Sequence, residues 1–315
     1  MRRWILRGVL VPLGIVFILW AMRWEPVYWA AIPFVYRETT LPPERTISDI
    51  AYDPSAPTDP KRQLDLFLPS APDFSAVVFV HGGGWTTGDR SLTSGGADVY
   101  RNIGRFLAAR GFATAVISYR RLFDVDWRTQ AADVARAVAF VQKSIDARGA
   151  RPGAVFLMGH SAGAQLATRV ALEPEWLANA GGDVAGVCGV IAASGAGYDM
   201  SDDETYKLGA DPAYYADRWG AGVLNGAWRR DASPVTHLSA NAPPFLVLYA
   251  EGDIPPLRHQ AALLAQRLLR AGIAAREVVI PGSSHERVVV QLRRDDQTAG
   301  PALLSFLQAT TCPRR

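Results

Sequence analysis

The run Gly159-His160-Ser161-Ala162-Gly163 has the spacing G-x-S-x-G, between the apolar stretch Ala154–Met158 and the helically spaced stretch Ala162–Leu172. A strand turning sharply into a helix at a serine pushes the hydroxyl out of the turn. There the helix dipole favours negative charge on an attacking oxygen. The turn strains the serine backbone, and side chains at 159 and 163 would collide with neighbouring backbone, so glycine is required at both. Ser161 is therefore the candidate nucleophile. The plain alternative is a Gly-rich turn with no chemistry.

A second run, His81-Gly82-Gly83-Gly84-Trp85, follows the apolar stretch Ala76–Val80. Glycines let backbone N–H groups approach a substrate unobstructed. The N–H groups of Gly83 and Gly84, with that of Ala162, are the candidate oxyanion hole. A phosphate cradle would need the Lys-Ser/Thr of a P-loop, which is missing. His81 reads as structural, holding the loop. Trp85 reads either as a substrate-binding wall on the acyl side or as core.

A serine nucleophile needs a base that titrates near neutrality, which points to histidine. The chain has five: His81, His160, His237, His259 and His285. Two sit inside the motifs above, His259 lies in a helical pattern, and His237 lies in an irregular stretch. His285 falls in a loop after the last strand pattern, where the chain order Ser…acid…His requires it. The acid should follow the strand pattern Phe245–Tyr249. Asp253 is the first choice there, Glu251 its close rival and Asp199 a more distant one. Asp253 also reads as a turn cap ahead of Pro255-Pro256.

Positioning these groups takes an alternating chain. Strand patterns are expected at Gln63–Leu68, Ala76–Val80, Phe112–Ser118, Ala154–Met158, Val184–Ala193, Phe245–Tyr249 and Ala274–Ile280. Helices are expected at Val99–Arg110, Trp127–Arg148 (capped by Asp126), Ala162–Leu172, Pro256–Arg270 and Pro301–Gln308. Such alternation predicts an α/β fold: a mostly parallel sheet with helices on both faces, and chemistry in the loops beyond the carboxyl ends of its strands. Residues 195–238 break the alternation and read as a cap-like insertion over the site. Its Tyr198, Tyr206, Tyr214, Tyr215, Trp219 and Trp228 are candidates to line a pocket or to pack it.

The N-terminus departs from this scheme. Arg2, Arg3 and Arg7 precede an uncharged stretch, Gly8–Met22, flanked by Trp20, Trp24, Tyr28 and Trp29. The expectation is a single transmembrane anchor within residues 1–25 and a proline-rich juxtamembrane linker over 26–45. A catalytic domain over 46–315 follows on the extracytoplasmic side. The alternative is a cleaved signal peptide and a secreted or periplasmic product, against which stands the absence of a small-x-small cleavage site.

The 315 residues are 49% hydrophobic and 20% charged, enough for one sizeable core. A formal charge of +3 without a basic, aromatic-interleaved stripe argues against nucleic acid. No Cys/His cluster has metal-ligand spacing. Cys188 reads as a small core residue, and a bond to Cys312 stays open in an oxidising compartment.

HGGGW, GHSAGA and the late Asp253/His285 pair resemble the α/β-hydrolase carboxylesterase group. More narrowly they resemble the branch holding prenylcysteine methylesterases, feruloyl-esterase-like enzymes and kynurenine formamidases. QLDLFLP at Gln63–Pro69, Ser118-Tyr119-Arg120 and Asp133 support the likeness, which runs from about Thr46 to the C-terminus. It implies a serine esterase acting on a small-molecule ester with no metal or organic cofactor. An arylformamidase with the same triad is the alternative within catalysis, and a membrane-tethered binding protein the alternative outside it. The sequence leaves the ester and the oligomeric state undefined.

Overall fold

The computed structural model describes residues 28, 30–31, 36–94, 97–146, 148, 150–219, 227–295 and 298–312. In chain order it has β1 (Thr46–Ala51), β2 (Gln63–Phe67), β3 (Phe74–Val80), α1 (Val99–Ala108), β4 (Ala113–Ile117), α2 (Trp127–Asp146), β5 (Ala150–His160), α3 (Ala162–Leu172), α4 (Pro174–Asn179) and β6 (Val187–Ala193). Three short helices follow: α5 (Asp203–Lys207), α6 (Pro212–Arg218) and α7 (Ala227–Ala232). The chain closes with β7 (Phe245–Gly252), α8 (Pro255–Arg270), β8 (Ala275–Ser284), α9 (Arg287–Gln291) and α10 (Ala299–Ala309).

Eight strands among the described residues form one sheet in the order β1-β2-β4-β3-β5-β6-β7-β8. The pairs β1/β2 and β2/β4 are antiparallel, and all others are parallel, so β2 alone runs against the rest. The expected mostly parallel sheet with helices on both faces is thus what the chain builds.

Strand period makes the two faces explicit. In β3, Ala76, Val78 and Val80 join a core with Val134 and Val138 of α2, Leu166 of α3 and Leu264 of α8. Val77 and Phe79 join the opposite core with Ile103 of α1 and Leu303 of α10. The same alternation holds in β5, where Leu157 faces one core and Phe156 and Met158 the other. Every residue of β3 is buried, which is why AVVFV shows no polar period.

Local signals set the ends. Thr129 N–H donates to the Asp126 carboxylate at 2.8 Å and starts α2. Gly272, just past α8, takes φ 76° as a helix-ending glycine does. Strand β1 and helix α9 carry no period that announces them, and β1 even shifts register between Ile47 and Ile50.

Two features go beyond what the sequence shows. Part of the stretch expected as a linker is docked on the domain: Tyr36 is buried, Asn102 donates to its hydroxyl at 2.9 Å, and Glu38 pairs with Arg105 at 2.7 Å. Proline content there ends regular structure without freeing the chain. Second, Cys188 is more than a small core residue, because it is disulfide-bonded to Cys312. The uncharged stretch Gly8–Met22 lies outside the described residues. Among the described residues, no helix is long and apolar enough to cross a membrane.

The insertion is fastened to the domain at two places. Gln260 of α8 accepts from the Asp199 N–H at 2.8 Å and donates to the Asp199 carbonyl at 2.9 Å and the Thr205 hydroxyl at 2.6 Å. Trp219 packs edge-on against Trp85, ring centroids 4.7 Å apart.

The disulfide joins residues 124 apart in sequence and so restricts a long loop of the unfolded chain. Replacing both cysteines with alanine should lower unfolding free energy by about 2–4 kcal/mol. Urea titration checks this, and a reductant should lower the midpoint of the native chain while leaving the double variant unmoved.

Candidate active site

Ser161 sits between β5 and α3 at φ 55° and ψ −123°, a left-handed backbone that a serine adopts only when its surroundings impose it. Its N–H is held by the Ala193 carbonyl at the end of β6, at 3.0 Å. The two glycines are there for space. A Cβ on Gly159 would lie 2.2 Å from the Gly163 carbonyl oxygen, and one on Gly163 would lie 2.2 Å from the Val80 carbonyl oxygen.

Strand register assembles the other groups. In the parallel pair β7/β8, Gly252 stands opposite Ser284, so the next residues on each chain, Asp253 and His285, emerge side by side. His285 Nε2 lies 3.0 Å from Ser161 Oγ, and His285 Nδ1 lies 2.9 Å from Asp253 Oδ1. With Nδ1–H donating to the carboxylate, Nε2 is left to accept the serine proton. Burial pushes the Asp253 carboxyl up, but the His285 hydrogen bond and charge, the nearby Ser194 hydroxyl and the Ile254 N–H outweigh it. The net shift is downward, so Asp253 stays charged. Its rivals are bonded elsewhere: Glu251 accepts from the Gly282 N–H, and Asp199 pairs with Arg267. His237 and His259 face Glu173 and Asp202.

The glycine loop after β3 turns back over this pair. Gly83 takes φ 119°, and its carbonyl accepts from Thr86 N–H, Thr87 N–H and the Thr87 hydroxyl. Gly82 N–H donates to the Tyr100 hydroxyl at 3.2 Å. No acceptor among the described residues meets the N–H of Gly83, Gly84 or Ala162. Tyr214 of α6 brings its hydroxyl within 2.7 Å of where a Gly84 Cβ would stand, and Arg218 donates to the Gly84 carbonyl at 3.2 Å.

A pocket of about 490 Å³ opens at Ser161, lined by Gly83, Gly84, Leu92, Thr93, Tyr100, His160, His285, Glu286 and Val289. Trp85 is absent from its walls. Its side chain is 2% exposed, donates to Gln165 at 3.3 Å and packs on Trp219, so of its two expected roles the structure gives core. The insertion's Tyr198, Tyr215 and Trp219 are likewise buried in the core. A larger groove, about 590 Å³, lies at the opposite end of the sheet around Val187, Leu172 and Pro244, away from these groups.

One feature sequence reasoning missed is a neutral hydrogen-bond chain behind the site. Tyr100 donates to His160 Nδ1 at 3.3 Å, and His160 Nε2–H donates to the His285 carbonyl at 3.0 Å. Together with the Gly82 N–H bond to Tyr100, this ties the glycine loop to the loop of the base. Burial, with the neighbouring His285, pushes His160 down to about 3, and burial pushes Tyr100 up to about 12. Burial also lowers His81 to about 4, where it stacks on Tyr119 with ring centroids 4.2 Å apart.

These two buried histidines set an acid sensitivity. The unfolded imidazoles take protons near pH 6.5, whereas the folded ones refuse them until about pH 4 and about pH 3. The unfolded state therefore binds more protons in that window, and stability falls as pH drops below 6.5. The urea midpoint should decline steadily from pH 7 to 4.5, and His81→Gln should flatten the decline. The lowered Asp253 carboxyl adds a loss at lower pH, as acidity passes through its folded value.

The chain matches the BD-FAE family over residues 64–268. Esterase LipC of Mycobacterium tuberculosis is 29% identical over 247 residues, 74% of this chain and 57% of that protein. A probable isoprenylcysteine alpha-carbonyl methylesterase of Arabidopsis thaliana is 26% identical over 263 residues, 74% of this chain and 50% of that one. The chain thus spans about half the length of the curated relatives it matches. Among solved structures, esterase B from Lactobacillus rhamnosis superposes with a TM-score of 0.68 at 22% identity, covering 94% of this chain and 93% of that one. A truncated carbohydrate esterase from gut microbiota gives 0.69 at 18% identity, covering 86% and 97%. These likenesses speak for the α/β-hydrolase fold. The family match takes in β2 to α8 with the glycine loop, Ser161 and Asp253, well over half of the sequence, and the chain belongs to the BD-FAE family.

Proposed function

We propose that the chain is a carboxylic ester hydrolase working by acyl transfer through Ser161. The observation that carries this reading is the hydrogen-bond sequence Ser161–His285–Asp253, at 3.0 and 2.9 Å. Ser161 Oγ attacks the ester carbonyl while His285 Nε2 takes its proton. Asp253 steadies the imidazolium. The N–H groups of Gly83, Gly84 and Ala162 receive the oxyanion. His285 then protonates the departing alcohol, and water, activated by the same imidazole, releases the acid from the acyl-serine. Ester is preferred to formamide because the relatives are named as esterases and methylesterases. A binding protein without turnover has no need of the Ser161–His285–Asp253 sequence.

The same proposal includes the anchor. Gly8–Met22 holds the chain in a membrane with Arg2, Arg3 and Arg7 on the cytoplasmic side and the catalytic domain outside. The Cys188–Cys312 bond supports that side, because such bonds persist in oxidising compartments.

A fluorophosphonate probe should label the wild-type chain, and Ser161→Ala should abolish labelling while keeping the fold. With 4-nitrophenyl butyrate, Ser161→Ala should cost on the order of 10⁶ in kcat. Asp253→Asn should cost on the order of 10⁴ through the wrong imidazole tautomer. A folded wild-type sample that takes no label would sink the reading.

A further inference from the structure

The chain ahead of the sheet is fastened beside the pocket. The Arg287 guanidinium lies over the Tyr28 ring, 4.3 Å from its centroid, and Tyr28 packs against the core on that face. Arg287 opens α9, whose Val289 lines the Ser161 pocket together with Glu286, the residue just before the helix. Tyr36 is held on the same side by Asn102 and by the Arg293 guanidinium, 3.8 Å from its ring.

Chain length then limits where the uncharged stretch ends. Met22 precedes Tyr28 by six residues. A fully extended chain advances at most about 3.6 Å per residue, so six residues span no more than about 22 Å whatever the path between. The pocket wall is therefore within a short reach of the end of Gly8–Met22. Leu92, Tyr100 and Val289 wall the pocket, and Glu286 is the one carboxylate in its lining. Ile254, next to Asp253, and Tyr214 of α6, over Gly84, are large side chains left exposed at the same end of the sheet.

We infer that the Ser161 pocket opens toward the lipid bilayer that holds Gly8–Met22, and that its substrate is an uncharged, lipid-soluble ester reaching it from that bilayer. This deepens the esterase and anchor readings and rests on both. A short tether fastened beside the pocket keeps it near the bilayer, where a lipid-soluble ester is concentrated. The acyl or alcohol chain moves from lipid to apolar wall without crossing water, which avoids the cost of exposing that chain to water on the way.

Two measurements on the full chain, reconstituted in phosphatidylcholine vesicles with one-fifth phosphatidylglycerol, test this. A nitrobenzoxadiazole label at Thr93→Cys, on the pocket rim, should be quenched by headgroup-level doxyl lipid. The same label at Val184→Cys, beside the groove at the opposite end of the sheet, should not. Equal quenching at both sites overturns the inference. In parallel, Tyr28→Ala should lower hydrolysis of vesicle-borne 4-methylumbelliferyl oleate by about tenfold, as a lost positional constraint does, while hydrolysis of 4-nitrophenyl acetate in water stays unchanged. If the wild type cleaves the acetate but not the oleate, or if Tyr28→Ala lowers both equally, the inference fails and the esterase reading stands. If the wild type cleaves neither, the esterase reading fails first.

Discussion

A methyl group cannot fit between Gly163 and the carbonyl of Val80. That contact lets α3 start directly against the end of β3, and the rest of the site depends on it. The glycine loop leaves β3 at Val80, and the serine turn ends at Gly163. Their touching backbones bring the start of the glycine loop against the first turn of α3. The left-handed backbone of Ser161 is the local cost of this approach, of order 1–3 kcal/mol, and the bond from its N–H to Ala193 helps hold it. Packing on both faces of the sheet keeps the two strand ends from drifting apart.

The second organising relation is register. Asp253 and His285 are far apart in sequence, but parallel pairing of β7 and β8 sets them at adjacent strand ends. The carboxylate is buried and still charged because its partner is a donor held in place. Behind them, Tyr100 and His160 link the glycine loop to the His285 backbone without a net charge. A charged group in that position would draw on His285 or Asp253. Burial that keeps both neutral gives rigidity alone.

Much of this was readable before any coordinates, for identifiable reasons. Ser161, His285 and the glycines could be named because strand-to-helix turns and backbone donors tolerate few residue types. Asp253 and Glu251 both follow the strand pattern Phe245–Tyr249, and it is the register of β7 and β8 that sets Asp253 beside His285. The misses are of another kind. Helix α9 and strand β1 are short and lack a period, so they form through tertiary packing that no local pattern reports. Tyr100 belongs to an amphipathic helix like any other aromatic, and nothing in its neighbours announces a partner at His160. Trp85 follows the glycines, which suggested a wall. Its side chain instead turns under the insertion to meet Trp219. The docking of Tyr36 was hidden by the prolines around it, and the bond of Cys188 to Cys312 depends on two segments whose adjacency only the folded chain reveals.

The placement of Trp85 also bears on how the pocket of this chain can change over evolutionary time. A cap that merely rested on a finished pocket could be exchanged between relatives like an interchangeable part. Here the residue after Gly84 is roofed by the insertion, and Arg218 of the same insertion grips the Gly84 carbonyl. Selectivity and chemistry are thus not separable modules. Swapping the insertion would uncover a tryptophan and loosen the glycine loop. New specificities are more readily reached by small changes on the opposite wall, at Leu92, Thr93 and Val289, which touch the pocket without holding the machinery together.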